Sequence, residues 1–262
     1  MLRKINEVLV KPIVFSNEKD TRPIKGASLF PEVYSNIFLC AKKKSGKSTI
    51  IYKIIAACCN RDTKVIAFVS TLQKDQSWIE TQNYCKSKGI YFEGRTSLNE
   101  DKIDQLQQFI TGEETINETD DLNENFKEKL LLESDDDEDK PKRKSKYLAP
   151  EYLIILDDLS TELKSTSLVS LLKKNRHFKA KIVISSQYLN DLLPQSRRQL
   201  DVFLVFKGFS DKKLKEVYTD ADANIEFDKF KELYHKATEE PFSFFYIGND
   251  EYRKNFNQKF II

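Results

Sequence analysis

The 262-residue sequence has few of the residues that build metal centres and disulfide frameworks, with four cysteines and two histidines. No two cysteines have C-x-x-C spacing and the histidines lie far apart, so neither a zinc site nor a disulfide scaffold is indicated. No apolar run approaches the ~20 residues needed to cross a bilayer. The N-terminus mixes charged and apolar residues and lacks the apolar core of a secretory signal. We therefore expect an intracellular protein without a membrane span.

The net charge of +2 hides an uneven distribution of charge along the chain. From Thr111 to Ala149, thirteen acidic and seven basic residues give a net charge of −6, which leaves +8 for the rest. This segment has too little apolar surface to offset its ordering entropy. We predict one domain over residues 1–262, with a disordered charged insertion over 111–149. The basic run 140–146 is either a nuclear-import or nucleic-acid patch, or a solvated loop that balances its acidic neighbour.

Short apolar runs rich in Val, Ile, Phe and Tyr alternate with stretches of helical periodicity, which predicts a largely parallel α/β sheet. Helices are predicted over Ser48–Cys59 and over Lys212–Tyr218. Residues 242–262 indicate a strand, a turn and a second extended segment, and residues 8–15 an edge strand that tolerates Pro12. The predicted core strands are Asn36–Cys40, Val65–Ser70, Tyr152–Leu156, Ile182–Ser186 and Val202–Phe206.

The strongest functional signal is a phosphate-binding loop between a predicted strand and a predicted helix. Its sequence AKKKSGKST matches G-x-x-x-x-G-K-[ST] except at the first position. Gly46 lets backbone N–H groups approach phosphate oxygens at the positive end of the helix dipole. Lys47 neutralises the β and γ phosphates, and the Ser48 hydroxyl is placed to ligate Mg²⁺. The predicted nucleotide-binding residues are Ala41, Lys44, Ser45, Gly46, Lys47, Ser48 and Thr49.

Two details of the loop depart from the common pattern. Ala41 replaces the first glycine, and alanine resists the positive φ angles that glycine adopts freely. The consecutive lysines Lys42, Lys43 and Lys44 are expected to form a solvated basic rim rather than to add phosphate ligands through their side chains.

Two carboxylates, Asp157 and Asp158, follow the apolar run Tyr152–Leu156. They should emerge at the carboxyl edge of the sheet, where open α/β folds bind ligands. We predict that Asp157 joins Ser48 in holding Mg²⁺ and that Asp158 orients the attacking water. The alternative for Asp158 is that it only caps a following helix.

Three further polar residues are candidate catalytic groups. Gln187 ends the next apolar strand, where it either senses the γ phosphate or simply terminates the strand. Arg197 and Arg198 follow in a predicted loop before the fifth strand. One of them is either an arginine finger for a neighbouring subunit's nucleotide or an ordinary surface arginine.

In this order the motifs resemble those of the genome-packaging ATPases of large double-stranded DNA viruses and their virophage or transposon relatives, in the FtsK-HerA group of P-loop ATPases. The resemblance covers about residues 37–218. Its more specific features are Val69-Ser-Thr with Asp75 and Trp78, and the strand end Ser185-Ser-Gln187. It implies a RecA-like P-loop NTPase fold with a mainly parallel sheet, and ATP and Mg²⁺ as cofactors.

The same resemblance implies a motor that couples ATP hydrolysis to the translocation of double-stranded DNA into a preformed capsid. Its partners would be DNA, a capsid protein and further copies of the chain in a hexameric or pentameric ring, at the host-cell assembly site or in the virion. A basic cluster is predicted to line the DNA side of the ring. That cluster consists of Lys164, Lys173, Lys174, Arg176, Lys179 and Lys181.

Two other functions remain open on the sequence alone. One is a P-loop kinase that moves phosphate to a nucleoside or metabolite, which the distant acidic pair and Gln187 disfavour. The other is a nucleotide-binding scaffold without turnover, which Ala41 and the short side chain of Asp158 make conceivable. Dependence of hydrolysis on DNA or on a phosphate acceptor distinguishes the first alternative, and binding without turnover the second.

Overall fold

The computed structural model describes residues 20–111, 145–248 and 251–262. The strands are β1 Asn36–Cys40, β2 Lys64–Val69, β3 Tyr91–Arg95, β4 Tyr152–Asp157, β5 Ala180–Ser186, β6 Val202–Phe206, β7 Phe244–Gly248, β8 Glu251–Lys254 and β9 Gln258–Lys259. The α-helices are α1 Lys47–Cys58, α2 Gln76–Lys88, α3 Glu100–Thr111, α4 Thr166–Lys173, α5 Pro194–Arg197, α6 Asp211–Asp220 and α7 Phe227–Ala237. Short 3₁₀ turns occupy Ser160–Leu163 and Leu189–Asp191.

The strands form one sheet in the order β3-β2-β4-β5-β1-β6-β7-β8-β9. The first six strands in this order are parallel, and β7, β8 and β9 add antiparallel pairings at the C-terminal end. The predicted mainly parallel sheet with a C-terminal strand pair is thus confirmed. Within the described residues, no helix is long and apolar enough to cross a membrane.

Both faces of the sheet are covered, which explains the continuous apolar runs of the central strands. In β1, Ile37 and Leu39 pack on the face that carries α1 and α2. Phe38 and Cys40 point to the opposite face, where α3, α4, α6 and α7 pack. All five residues of β1 are buried. This position at the centre of the sheet fixes the loop that follows β1.

The sequence prediction missed strand β3, gave no bounds for helices α2, α3, α4 and α7, and misassigned the segment around Arg197. Strand β3 lies at the sheet edge, and its residues are only partly buried or exposed, so the apolar signal is weak. Helix α3 extends to Thr111, where the charged insertion was expected to begin. The predicted loop around Arg197 is wrong, because Pro194–Arg197 is a short helix with proline at its first position.

Most of the predicted insertion, residues 112–144, lies outside the described residues, as does the predicted strand 8–15. The next described residue is Ser145, which comes before the expected end of the insertion at Ala149. Leu148 forms a parallel bridge with Ile24, and the Lys25 amide donates a 2.8 Å hydrogen bond to the Leu148 carbonyl.

The predicted DNA-facing cluster is wrong in one member, because Lys181 is buried with 1% of its surface exposed. Its ammonium group donates hydrogen bonds to the Glu32 carbonyl and to Ser35 Oγ, both at 2.8 Å, and lies 4.9 Å from the Phe30 ring centroid. Burial lowers the pKa of Lys181 to about 8. A lysine at the start of a sheet-centre strand is therefore structural here.

The depressed pKa of Lys181 predicts a pH-dependent contribution to stability. Below pH 8 both the folded and the unfolded lysine are protonated, and the full cost of burying the charge is present. Between about 8 and 10.4 the unfolded chain binds more protons at this residue, so the contribution to stability rises with pH. We expect the stability difference between Lys181→Met and wild type to shift in favour of the wild type by up to about 3 kcal/mol over this window.

Urea unfolding of both proteins from pH 7 to pH 10 measures this difference. Only the difference is informative, because buried thiols and tyrosines such as Cys40 have raised pKa values and destabilise the fold at alkaline pH. Lys173→Met serves as the control, since Lys173 is exposed. A Lys181→Met difference that stays constant with pH would contradict a buried, titrating ammonium group.

Candidate nucleotide-binding site

Strands β4, β5 and β1 are neighbours, so their carboxyl ends meet at one edge of the sheet. The register places Cys40 opposite Ser186 and Asp157 opposite Ser185. The phosphate-binding loop leaves this edge after β1 and enters α1. The structure thus brings together the predicted loop, the predicted acidic pair and Gln187.

The loop itself is held by local hydrogen bonds and two left-handed residues. Lys44 has φ +63° and Gly46 has φ +92°. Ser45 Oγ donates a 2.6 Å hydrogen bond to the Lys42 carbonyl. Gly46 is the N-cap of α1, so no side chain caps the first N–H groups of the helix at its positive end. This arrangement suits an anion such as phosphate.

The alanine at the first loop position causes no conflict. Among the described residues, left-handed backbone outside glycine is found at seven positions, and Ala41 is not one of them. The Ala41 amide donates a 3.1 Å hydrogen bond to the Ser186 carbonyl, and its methyl group is buried against α1. Glycine's conformational freedom is therefore not needed at this position.

Lys47 is the central cation of the site. Its side chain is only 12% exposed, and its Nζ lies 3.6 Å from Asp158 Oδ1. In the part of the chain that the structure describes, this buried Nζ has no hydrogen-bond partner. A buried ammonium with unused donors is costly unless a further anion binds it. A nucleotide phosphate would supply that anion.

Asp157 is the buried anion of the site, with 6% of its surface exposed. Burial raises the pKa of its carboxyl group, and the Asp158 charge adds to this, whereas Lys47 and the side chains of Ser185 and Trp78 oppose it. Its Oδ1 lacks a hydrogen-bond partner within the described ranges. A carboxylate oxygen left unpaired at this edge fits Mg²⁺, and Ser48 in the first turn of α1 offers a hydroxyl oxygen.

Asp158 continues from β4 in an unusual conformation. Its φ is +54°, in the left-handed region that aspartate tolerates better than most residues. Its amide donates a 3.1 Å hydrogen bond to the Ser185 carbonyl. The alternative that it caps a following helix is wrong, because the 3₁₀ turn starts at Ser160 with Leu159 at the cap position and no side-chain cap. The carboxylate faces Lys47 instead.

Gln187 lies beside the loop at the end of β5, where it lines a cavity of about 470 Å³ together with Lys42 and Lys43. Lys213 also lines this cavity, with its Nζ 4.4 Å from the Tyr188 ring centroid. Both loop lysines are exposed, in keeping with a basic rim. A sensing role for Gln187 stays a prediction.

The two arginines have different environments. Arg197 Nη1 lies 2.8 Å from Asp220 Oδ2, and the two side chains are 16% and 21% exposed. Arg198 is exposed at the end of α5. Arg197 therefore already has a partner within its own chain, whereas Arg198 is directed to solvent.

Sequence reasoning missed two contacts at this edge. Trp78 was singled out only as a family feature. Its indole is buried next to the Asp157 carboxyl group, and it opposes the rise in pKa that burial causes there. Asp191 was not considered, although it accepts a hydrogen bond from Ser186 Oγ directly below the loop. Neither contact could be predicted from the sequence, because no motif or spacing links Trp78 to Asp157 or Asp191 to Ser186.

No protein-family model matches this sequence, and no curated protein matches it significantly. Among solved structures, the genome packaging NTPase B204 from Sulfolobus turreted icosahedral virus 2, in complex with AMP, is 18% identical, with a TM-score of 0.51 over 83% of this chain and 93% of that chain. Its complex with AMPPCP is 17% identical, with a TM-score of 0.50 and the same coverage. The cytoplasmic domain of the Thermomonospora curvata Type VII secretion ATPase EccC is 12% identical, with a TM-score of 0.49 over 83% of this chain and 24% of that chain. The suspected resemblance is thus confirmed at the level of the fold, which this chain shares with a viral genome-packaging NTPase.

Proposed function

We propose that this chain is an ATP-hydrolysing motor that translocates double-stranded DNA into a preformed capsid. One observation carries the ATPase part of the proposal. Lys47 Nζ and Asp157 Oδ1 are buried at the same edge of the sheet, and neither has a hydrogen-bond partner among the described residues. Each atom suits one half of a magnesium–nucleotide complex.

The proposed roles follow from the positions of the side chains. Lys47 and the N–H groups at the start of α1 bind the β and γ phosphates. Asp157 and Ser48 would hold Mg²⁺, which when bound would neutralise charge as it develops on the phosphates. Asp158 accepts a hydrogen bond from the attacking water and orients it. When nucleotide binds, Lys47 exchanges its contact with Asp158 for the phosphates, which frees that carboxylate for the water.

The translocation part of the proposal is supported by the family resemblance and by the fold shared with a protein described as a genome packaging NTPase. Of the predicted basic cluster, Lys173 and Lys174 are exposed at the end of α4, while Arg176 and Lys179 are paired with Glu32 and Glu151. The exposed Lys173 and Lys174 are candidates for DNA phosphate contacts in a ring that also binds a capsid protein.

Steady-state ATP hydrolysis by the purified protein, with and without double-stranded DNA, tests this function. We expect turnover that DNA stimulates several-fold, and loss of that stimulation in a Lys173→Glu/Lys174→Glu variant that keeps its basal rate. Turnover that depends on a nucleoside or metabolite acceptor would instead identify a kinase. Magnesium-dependent ATP binding without any turnover would identify a nucleotide-binding scaffold.

Substitution of the two arginines should have different effects. We expect the loss of Arg197 to lower stability and the loss of Arg198 to lower catalysis in a neighbouring subunit. Arg197→Ala should lower the melting temperature by a few degrees, because it leaves the partly buried Asp220 unpaired, at a cost of about 1–3 kcal/mol. Arg198→Ala should leave the melting temperature unchanged and lower ATPase activity at least tenfold in the assembled ring.

Subunit mixing distinguishes an arginine finger from a local effect. Mixing Arg198→Ala subunits with Lys47→Ala subunits should restore part of the activity. At some interfaces an intact Lys47 of one subunit would then meet an intact Arg198 of its neighbour. Full activity of Arg198→Ala alone would leave Arg198 as an ordinary surface arginine.

A further inference from the structure

Phe242 is a large apolar side chain that the fold leaves uncovered. It is 70% exposed, although it lies only two residues before the buried strand β7. Its φ is +63°, a left-handed conformation that is a genuine outlier for a bulky residue. Such a conformation persists only where the surrounding structure enforces it, and it often marks a ligand site.

The turn that carries Phe242 is fixed on both sides. The Phe244 amide donates a 3.1 Å hydrogen bond to Asn255 Oδ1, and the Asn255 amide donates one of 2.9 Å to the Phe244 carbonyl. Glu240, on the other side of the turn, forms a 2.8 Å ion pair with Lys254. The aromatic ring is thus presented from an anchored backbone.

The ring lies against the phosphate-binding loop. A β-carbon placed on Gly46 would be 3.5 Å from Cδ1 of Phe242, which is ordinary van der Waals contact. Phe244 pairs with Phe206 at the carboxyl end of β6, so the preceding turn reaches the same sheet edge as the loop. Phe242 therefore borders the site on the β6 and β7 side.

The orientation of a bound nucleotide follows from the strand order. Its γ phosphate must face Asp157 and Asp158 at the end of β4, where metal and water act. The order β4-β5-β1-β6-β7 places the loop after β1 between β4 and β7. The α phosphate and the nucleoside must therefore leave the loop away from β4, towards Phe242.

We propose that Phe242 is the stacking platform for the base of the bound nucleotide. The proposal rests on the proposed function, because it takes the phosphate positions from that site. An aromatic ring binds any base through its π face, so Phe242 would favour nucleotides over inorganic phosphates without selecting one base.

A second exposed aromatic residue, Tyr188, lies near the loop and is the rival platform. It is 51% exposed and belongs to the cavity lined by Lys42 and Gln187. Lys213 Nζ lies over its ring, 4.4 Å from the centroid, so one face is already covered. The cavity is lined both by residues that follow β5 and by Gly208 and Phe209, which follow β6, so the covered face of the Tyr188 ring is what favours Phe242 as the platform.

The test compares the magnesium-dependent binding of AMPPCP and of inorganic tripolyphosphate to the full chain by calorimetry. Phe242→Ala and Phe242→Gly remove the ring, and glycine also suits the left-handed backbone, so at least one variant should fold. We expect both to weaken AMPPCP binding about 10- to 100-fold and to leave tripolyphosphate binding unchanged. Phe242→Tyr should bind AMPPCP within about threefold of wild type.

Several outcomes would overturn the assignment. They are unchanged AMPPCP affinity in the ring-deleted variants, an equal loss of tripolyphosphate affinity, or a loss of AMPPCP affinity in Tyr188→Ala alone. A wild-type protein that binds neither compound would refute both this inference and the proposed function. Binding that depends on Phe242 in a protein that never hydrolyses ATP would refute the proposed function and keep the base platform.

Discussion

The Lys47→Ala variant is expected to lose ATP hydrolysis by at least about 100-fold, the usual effect of removing one charge-stabilising group from a transition state. In the wild type, Lys47 Nζ is buried beside the acidic pair and has no hydrogen-bond partner in the described part of the chain. Stability without ligand should not fall, because the 3.6 Å ion pair with the 37% exposed Asp158 is screened by solvent and the substitution removes a buried ammonium group with unused donors.

A matched control is available on the same helix. Lys53 is exposed six residues further along α1 and should tolerate alanine with near-normal turnover. Rates would be measured at saturating ATP, and binding of AMPPCP separately. Hydrolysis that survives in Lys47→Ala would contradict the assignment of this loop to phosphate binding, and with it the proposed active site.

The Asp157→Asn variant is expected to be more stable than wild type in the absence of ligand and yet to lack hydrolysis. Burial raises the pKa of this carboxyl group in the folded state, so at neutral pH its ionisation costs stability. Because the folded pKa is the higher one, this cost is absent below the unfolded pKa near 3.9, grows between the unfolded and the folded pKa, and is fully present above the folded pKa. Asparagine carries no charge and should raise the melting temperature by about 2–4 °C for each ~1 kcal/mol removed.

Thermal unfolding with and without magnesium and AMPPCP checks both halves of this expectation. The wild type should gain stability from the ligands by mass action, whereas Asp157→Asn should gain much less. Asp158→Asn is the comparison, since that partly exposed residue should lose turnover without any gain in stability. A melting temperature of Asp157→Asn at or below that of wild type would show that the carboxylate is satisfied within the chain.

The fold class and the centre of the site were predictable because their signals are local. Buried parallel strands have continuous apolar runs, and these gave β1, β4, β5 and β6 nearly to the residue. The loop around Gly46 lies directly between a strand and a helix, so its position follows from chain order alone. Edge strand β3 lacked this signal because three of its five residues are Glu93, Gly94 and Arg95.

The residues that the sequence analysis misjudged are those whose role depends on a distant partner. Lys181 looked like a member of a surface cluster, because its neighbours in sequence are basic. It is instead buried, with its ammonium bonded to Glu32 and Ser35. Arg197 looked like a free arginine, but helix α6 brings Asp220 to it.

The sequence by itself determined the central strands of the sheet, the position of the predicted phosphate-binding loop and the candidate acidic pair, since periodicity and adjacent residue types encode all three. Only the tertiary structure decided that Ala41 is unstrained, that Asp158 faces Lys47 and that Phe242 lies against Gly46. The physical reason is that backbone angles and contacts between distant segments depend on the packing of strands that are neighbours in space but not in sequence. The strand order, with β5 between β1 and β4, brings the loop at Gly46 and the acidic pair to one edge of the sheet although more than a hundred positions separate them in the sequence.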